Sequence, residues 1–135
     1  KLLGVKIIKK WAFGHCRGLM DVEFGDKLET IKVCAFYHCP LRNITMPSVR
    51  TIGPGAFMDC YELTDLQLPE GLETLRNIAF KDCRRLRRIA MPLKIDMIEF
   101  DAFNDCPNLT TVNLVGGVHK SVASLHLESW RNEMR

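Results

Sequence analysis

Apolar residues return along this chain in two beats that repeat about every 23 residues. The first beat is an apolar-x-apolar pair: Val22 and Phe24, Ile44 and Met46, Leu66 and Leu68, Ile89 and Met91, Val112 and Leu114. Alternation at period two puts both side chains on one face of a short strand. A leucine leads into each pair, at Leu19, Leu41, Leu63, Leu86 and Leu109. The second beat is wider: Val5 and Ile8, Leu28 and Ile31, Val49 and Ile52, Leu72 and Leu75, Ile95 and Ile98. Between the beats stand Pro47, Pro69 and Pro92, with Gly25 in the equivalent place of the first unit. Proline cannot donate to a continuing ladder, so the chain turns there. Ala-Phe, two variable residues and Cys then close each unit, at Cys16, Cys39, Cys60, Cys83 and Cys106.

Those cysteines are 23, 21, 23 and 23 residues apart. A period of this size predicts one flattened coil stacked on copies of itself at about 4.8 Å, its apolar columns turned inward. A single repeat domain over residues 1–117 follows, with four full periods and flanking partial coils. The short second period has lost one residue before Pro47 and one before Ala56, where Gly53-Pro54-Gly55 makes a tight corner. Both losses fall outside the core columns, which predicts an unbroken stack. A polar column supports the same register: Lys6, Glu29, Arg50, Glu73 and Asp96, the first four alternating in sign.

The pattern Leu-x-x-Leu-x-Leu-Pro, a gap, Ile and Ala-Phe-x-x-Cys resembles the BspA-like leucine-rich repeat family. The match is fullest from Cys60 to Cys83 and extends over about residues 2 to 115. The resemblance implies a leucine-rich-repeat type parallel β-solenoid, curved, with short strands in each coil and a sheet on its concave side. It also implies an adhesive or protein-binding surface, often on cell exteriors, with no shared active site. Residues 118–135 leave the repeat: Ala123, Leu127, Trp130 and Met134 recur at helical spacing, which predicts an amphipathic C-terminal capping helix. This tail resembles the helical ends of repeat proteins in diatoms. The opening at Lys1, inside a half unit, predicts further coils upstream or another cover for the first one.

Chemistry enters only as far as the side chains allow. Five cysteines share one column, where like side chains point the same way, so they read as free, buried thiols packing as small hydrophobes. Free thiols persist most easily in a reducing compartment, whereas the resemblance allows a cell surface, so localisation stays open. Cys34 stands outside the column, at a position also filled by Trp11, Gly55, Ile78 and Asp101, and reads as the most reactive thiol. His15-Cys16 and His38-Cys39 offer zinc-type ligands, but neighbours on a bend point apart and no C-x-x-C spacing is present, so no metal is expected. The aspartates before Cys60, Cys83 and Cys106 are expected to accept backbone N–H bonds at their turns. Nucleophile elbows, phosphate loops and His-Glu-x-x-His are absent, and no enzyme or cofactor is expected.

What remains is a surface. The columns facing out from the concave strands are polar, mixed in sign and free of aromatics. Their exception is a cluster on the fourth coil, Arg84, Arg85, Arg87 and Arg88. The expected binding site joins these arginines with Arg42, Asp65 and Gln67, and the expected partner is another protein with an acidic patch. The opposing reading is a solvated run partly neutralised by Glu62 and Asp65. With 19 basic against 16 acidic residues and a net charge of +3, nucleic-acid or phosphate-rich ligands fit less well. A different class of role makes the chain a structural subunit of a larger assembly, held by its ends. A second surface could lie on the convex side, where Tyr37, Met58 and Lys81 share a column near Trp11.

Overall fold

The computed structural model describes residues 2–92 and 97–115 and the two-residue strand Ser124–Leu125. The strands, in chain order, are β1 (Ile7–Ile8), β2 (Asp21–Glu23), β3 (Thr30–Ile31), β4 (Asn43–Thr45), β5 (Thr51–Ile52) and β6 (Asp65–Gln67). They continue as β7 (Thr74–Leu75), β8 (Arg88–Pro92), β9 (Met97–Ile98), β10 (Thr111–Val115) and β11 (Ser124–Leu125). A 3-10 turn covers Phe100–Phe103. Each coil contributes one odd and one even strand, so the chain is a parallel β-solenoid.

The odd strands from β1 to β9 form one continuous parallel sheet, with Ile8, Ile31, Ile52, Leu75 and Ile98 in register across it. Beside them, Glu29 bonds to the carbonyl of Lys6, Arg50 to that of Glu29 and Glu73 to that of Arg50. The first four members of the charge column read from the sequence are therefore in register, and Asp96 lies outside the described residues. Only its Arg50–Glu73 step closes as an ion pair among the described residues, at 3.7 Å.

The Ala-Phe-x-x-Cys segments make a third ladder along the ridge between the two sheets. Phe13, Phe36, Phe57 and Phe80 each donate their N–H to the alanine carbonyl of the next coil at 2.7–2.8 Å. Their rings, with Phe103, stack almost parallel, with successive centroids 5.1–5.3 Å apart. Such aromatic pairs add about 0.5–1.5 kcal/mol each beyond burial. Phe36, Phe57, Phe80 and Phe103 are buried, and among the described residues every buried side chain is apolar or a cysteine.

Turning this ridge tightly forces left-handed backbone at two places in each of the first four coils and at one in the fifth. The residue before cysteine has φ of 56–61° at His15, His38, Asp59, Asp82 and Asp105. The residue before Ala-Phe has φ of 50–62° at Trp11, Cys34, Gly55 and Ile78. Variety at that second position therefore does not mean freedom. The backbone there is one that glycine adopts without cost and Ile78 does not.

The even strands depart from the expected unbroken stack. β2 pairs with β4, and β6, β8 and β10 pair in succession, but β4 and β6 do not pair. The shortened second coil keeps its core and its odd-strand pairing, yet it splits the even-strand sheet.

Of the expected C-terminal helix, only Ser124 and Leu125 lie within the described residues. They form a strand antiparallel to β10, with Val112 opposite Leu125, so no helix includes them. Trp130 and Met134 lie outside the described residues.

Candidate functional site

The even-strand face is the one the repeat pattern marks for binding. Asp65, Arg88 and Thr111 stand in register across β6, β8 and β10, as do Gln67, Ala90 and Asn113. The strand period turns these side chains outward while Leu66, Ile89 and Val112 face the core. Arg87 directly precedes β8, and Arg84 and Arg85 occupy the turn after Cys83. All four arginines are exposed.

Their charges are only partly answered. Arg85 pairs with Glu62 at 3.0 Å, and Arg88 approaches Asp65 at 3.7 Å. Among the described residues Arg84 and Arg87 have no side-chain ion pair. Arg84 instead lends its carbonyl to Asn108 Nδ2 at 2.6 Å. Exposed pairs of this kind contribute about 0–1 kcal/mol, so a better-placed partner can displace them. Arg42 does not join the cluster. It lies beyond the break in the sheet and pairs with Asp21 at 3.8 Å, while Asn43 donates to the same carboxylate at 2.9 Å. The structure thus brings together Asp65, Gln67, Arg84, Arg85, Arg87 and Arg88, and sets Arg42 apart.

A second polar and aromatic group sits on the ridge, where sequence reading placed only a loose column. Trp11 meets Tyr37 edge-on with centroids 5.4 Å apart and stacks with His15 at 6.4 Å. His15 and His38 lie 5.5 Å apart, and His38 packs beside Tyr61 at 5.2 Å. Nδ1 of His38 donates to Asp59 at 2.5 Å, so Asp59 serves a side chain rather than the expected backbone N–H. The signal was the 23-residue spacing of His15 from His38 together with Tyr37, but a one-dimensional pattern does not show that the rings converge. Among the described residues no three His, Cys, Asp or Glu side chains are placed to hold a metal ion.

All six cysteines are free. In the column, Cys39, Cys60, Cys83 and Cys106 donate their thiol hydrogens to the phenylalanine carbonyl of the preceding coil at 3.0–3.4 Å. Burial pushes the Cys60 and Cys83 thiols far up, which removes them as nucleophiles. Cys34 is half-buried, and burial raises its pKa too. It is thus a poorer nucleophile than its place outside the column implied.

This arrangement of short parallel strands, stacked phenylalanines and inward leucines defines a leucine-rich repeat solenoid. A profile of the BspA type leucine rich repeat region matches residues 3–123 in six copies, and the chain belongs to that family. Among solved structures it is similar to a leucine rich cell surface protein from Faecalibacterium prausnitzii, at 31% identity and a TM-score of 0.80. That match covers 85% of this chain and 31% of the other. It is also similar to a leucine rich repeat protein of T. pallidum, at 29% identity and a TM-score of 0.77, covering 80% of this chain and 51% of that one. The chain thus spans about a third of the first structure's length and about half of the second's. No curated protein matches it. Repeat solenoids of this type are generally non-catalytic and serve as protein-interaction or surface modules. Among the described residues no helix is long and apolar enough to cross a membrane.

Proposed function

We propose that this chain is a non-catalytic protein-binding module that uses the fourth coil of its even-strand face. The observation that carries this reading is the pair of exposed guanidinium groups, Arg84 and Arg87, left without an ion pair among the described residues, beside the weakly held Arg85 and Arg88. Arginine is enriched at binding hot spots and forms bidentate bonds to carboxylates. A partner with an acidic patch fits this cluster. The near-neutral balance of the whole chain disfavours a polyanion that needs a broad basic face.

The test is crosslinking in the native source, read by mass spectrometry, with the Arg87→Glu/Arg88→Glu variant as control. A partner crosslinked near the third to fifth coils and lost in the variant supports the reading. Partners kept by the variant overturn it.

A second reading, a structural subunit held through its ends, is favoured by one observation. Of the six large apolar side chains exposed among the described residues, Leu3, Ile7, Trp11, Met20 and Val33 lie in the first coil and a half. Crosslinks confined to Lys6, Lys9 and Lys10 would select this reading.

A further inference from the structure

The split in the even-strand sheet coincides with a local difference between the coils. In four coils two residues separate the cysteine from the following leucine, and the leucine N–H returns to the cysteine carbonyl at 3.1–3.3 Å. In the second coil Pro40 alone stands between Cys39 and Leu41, and that turn bond is missing. β4 begins one residue nearer its cysteine than the other even strands do. It stays with β2 and parts from β6.

The parting leaves two strand edges facing one another. Elsewhere on this face Arg42 N–H bonds to the carbonyl of Met20, Arg87 to that of Thr64 and Thr110 to that of Arg87. The corresponding bond from Thr64 N–H to the Arg42 carbonyl is absent. Phe24 N–H reaches the Thr45 carbonyl and Leu68 N–H reaches that of Ala90, but Met46 N–H makes no such bond to Gln67. Most Cα pairs between β4 and β6 lie more than 8 Å apart, whereas those of β2 and β4 lie mostly within that distance. A cavity of about 360 Å³ spreads over this face from β4 across β6 to Arg88, Ile89 and Ala90 of β8 and Asn113 of β10, and a second, of about 440 Å³, lies between the second and third coils, with Ile44, Thr45 and Met46 opposite Gln67 and Leu68. Ile44, which lines both, is only half-buried, although its column mates Leu66, Ile89 and Val112 are buried.

We propose that this slot seats one extended segment of a protein partner, which enters as an additional strand between β4 and β6. The proposal rests on the protein-binding reading above and names what is bound. Two facing edges set wider than the usual strand spacing of about 4.8 Å offer main-chain donors and acceptors that another main chain satisfies on both sides. The inward side chain of the guest lies over Ile44 and Leu66, so it is apolar, and its neighbours face solvent and are polar. The rim selects a peptide over a phosphate chain. Asp65 is matched with Arg88 and Asp21 with Arg42, and the other polar side chains lining the two cavities are the amides of Asn43, Gln67 and Asn113, the hydroxyl of Thr45 and the carboxylate of Glu70, none of them a cation that would hold a phosphate.

The test uses a phage-displayed library of linear peptides, selected on the whole chain, with the enriched peptides then synthesised. Their binding is measured to the native chain, to a slot-closing variant in which Pro40 is replaced by the dipeptide Tyr-Glu of the third coil, and to the Arg87→Glu/Arg88→Glu variant. The expected peptides alternate apolar and polar residues and bind the slot-closing variant roughly a hundredfold more weakly. They also slow exchange of the Met46 and Thr64 amides in the native chain by about tenfold, a readout that does not depend on how any variant folds. Failure to enrich such peptides, equal binding to the slot-closing variant, or unchanged exchange at both amides overturns the proposal. A partner lost in the arginine variant but indifferent to slot closure would sink the slot and leave the face reading standing. Peptides held in the slot regardless of Arg87 and Arg88 support the slot and remove the arginines from the site.

Discussion

The thiol of Cys60 donates to the main-chain carbonyl of Phe36, 3.4 Å away in the preceding coil. Among the described residues no backbone N–H reaches that carbonyl. The carbonyl of Phe57, by contrast, receives the Cys83 thiol at 3.4 Å and the Cys60 N–H at 3.3 Å. Cysteine in this column is thus both a small apolar filler and a donor that satisfies a buried acceptor. Removing the sulfur costs packing at either site, but only at Cys60 does it orphan a carbonyl. Cys60→Ala is expected to destabilise the chain by about 2 kcal/mol, and Cys83→Ala by about 1 kcal/mol. Urea unfolding of both variants checks the order. Equal losses would show that the thiol hydrogen bond contributes nothing beyond volume.

The same column sets the response to alkali. Burial holds the Cys60 and Cys83 thiols well above their ordinary value of 9.0. The folded chain keeps their protons where the unfolded chain has lost them. Stability contributed by the neutral thiols is therefore fully present below about pH 8.5, and falls as the unfolded thiols ionise, by about 1.4 kcal/mol per pH unit for each. Denaturant midpoints across pH 7–10.5, compared with those of the Cys60→Ala/Cys83→Ala variant, measure this. The native slope should exceed the variant's only above the unfolded value.

At neutral pH a thiol reagent is expected to modify no more than Cys16 and Cys34 before unfolding exposes the remaining four. Those two are half-buried, and the other four are buried. Raised by burial, Cys34 should react more slowly than a free thiol of ordinary pKa. Rapid modification of Cys60 or Cys83 in the native chain would contradict the stack as described.

The coil and its inward columns were legible because a repeat states the same constraint five times. Leu63, Leu66 and Leu68 read as core on their own, and four further copies leave little room for another register. The register of Asp65 with Arg88 was legible for the same reason. What broke the repeat was less readable. The residue lost before Pro47 was visible, but core columns carry no information on strand hydrogen bonds, so its place at Pro40, the parting of β4 from β6 and the isolation of Arg42 were not. The left-handed backbone at Cys34 and Ile78 was hidden too, since only Gly55 in that column signals positive φ. The convergence of Trp11, His15, Tyr37 and His38 depends on which way the ridge side chains leave the backbone, and composition does not record that.

The left-handed column gives a matched pair of substitutions. At Ile78, φ is 50°, a conformation costly for a β-branched residue. Ile78→Gly relieves that strain, but it gives up a half-buried side chain and frees the unfolded chain. A net gain of about 0.5–1 kcal/mol is expected. Gly55, at φ 62°, is the opposite case: an added Cβ would be strained and would stand 3.1 Å from Cys34 Sγ. Gly55→Ala should cost about 1–2 kcal/mol. Thermal melts of the two variants should move in opposite directions. If Ile78→Gly melts lower, side-chain packing at that site outweighs the backbone strain.

Trp11 and Gly14 supply the last prediction, because they separate the ridge cluster from the fold beneath it. A Cβ at Gly14 would lie 2.9 Å from Trp11 Cε3, so the indole occupies the space that any side chain at position 14 would need. Trp11 is 50% exposed, and its ring can therefore swing into solvent without opening the core. Gly14→Ala is expected to push it out. The edge contact with Tyr37 and the stack on His15 should then be lost, while the Phe13–Phe36 stack below, with centroids 5.2 Å apart, stays intact. The expected result is a weakened near-ultraviolet dichroism of tryptophan, an unchanged far-ultraviolet spectrum and a stability loss under about 1 kcal/mol. Unchanged near-ultraviolet signal would mean that the indole does not rest on Gly14. A loss of several kcal/mol would mean that the ridge cluster, despite its exposure, helps to hold the coils together.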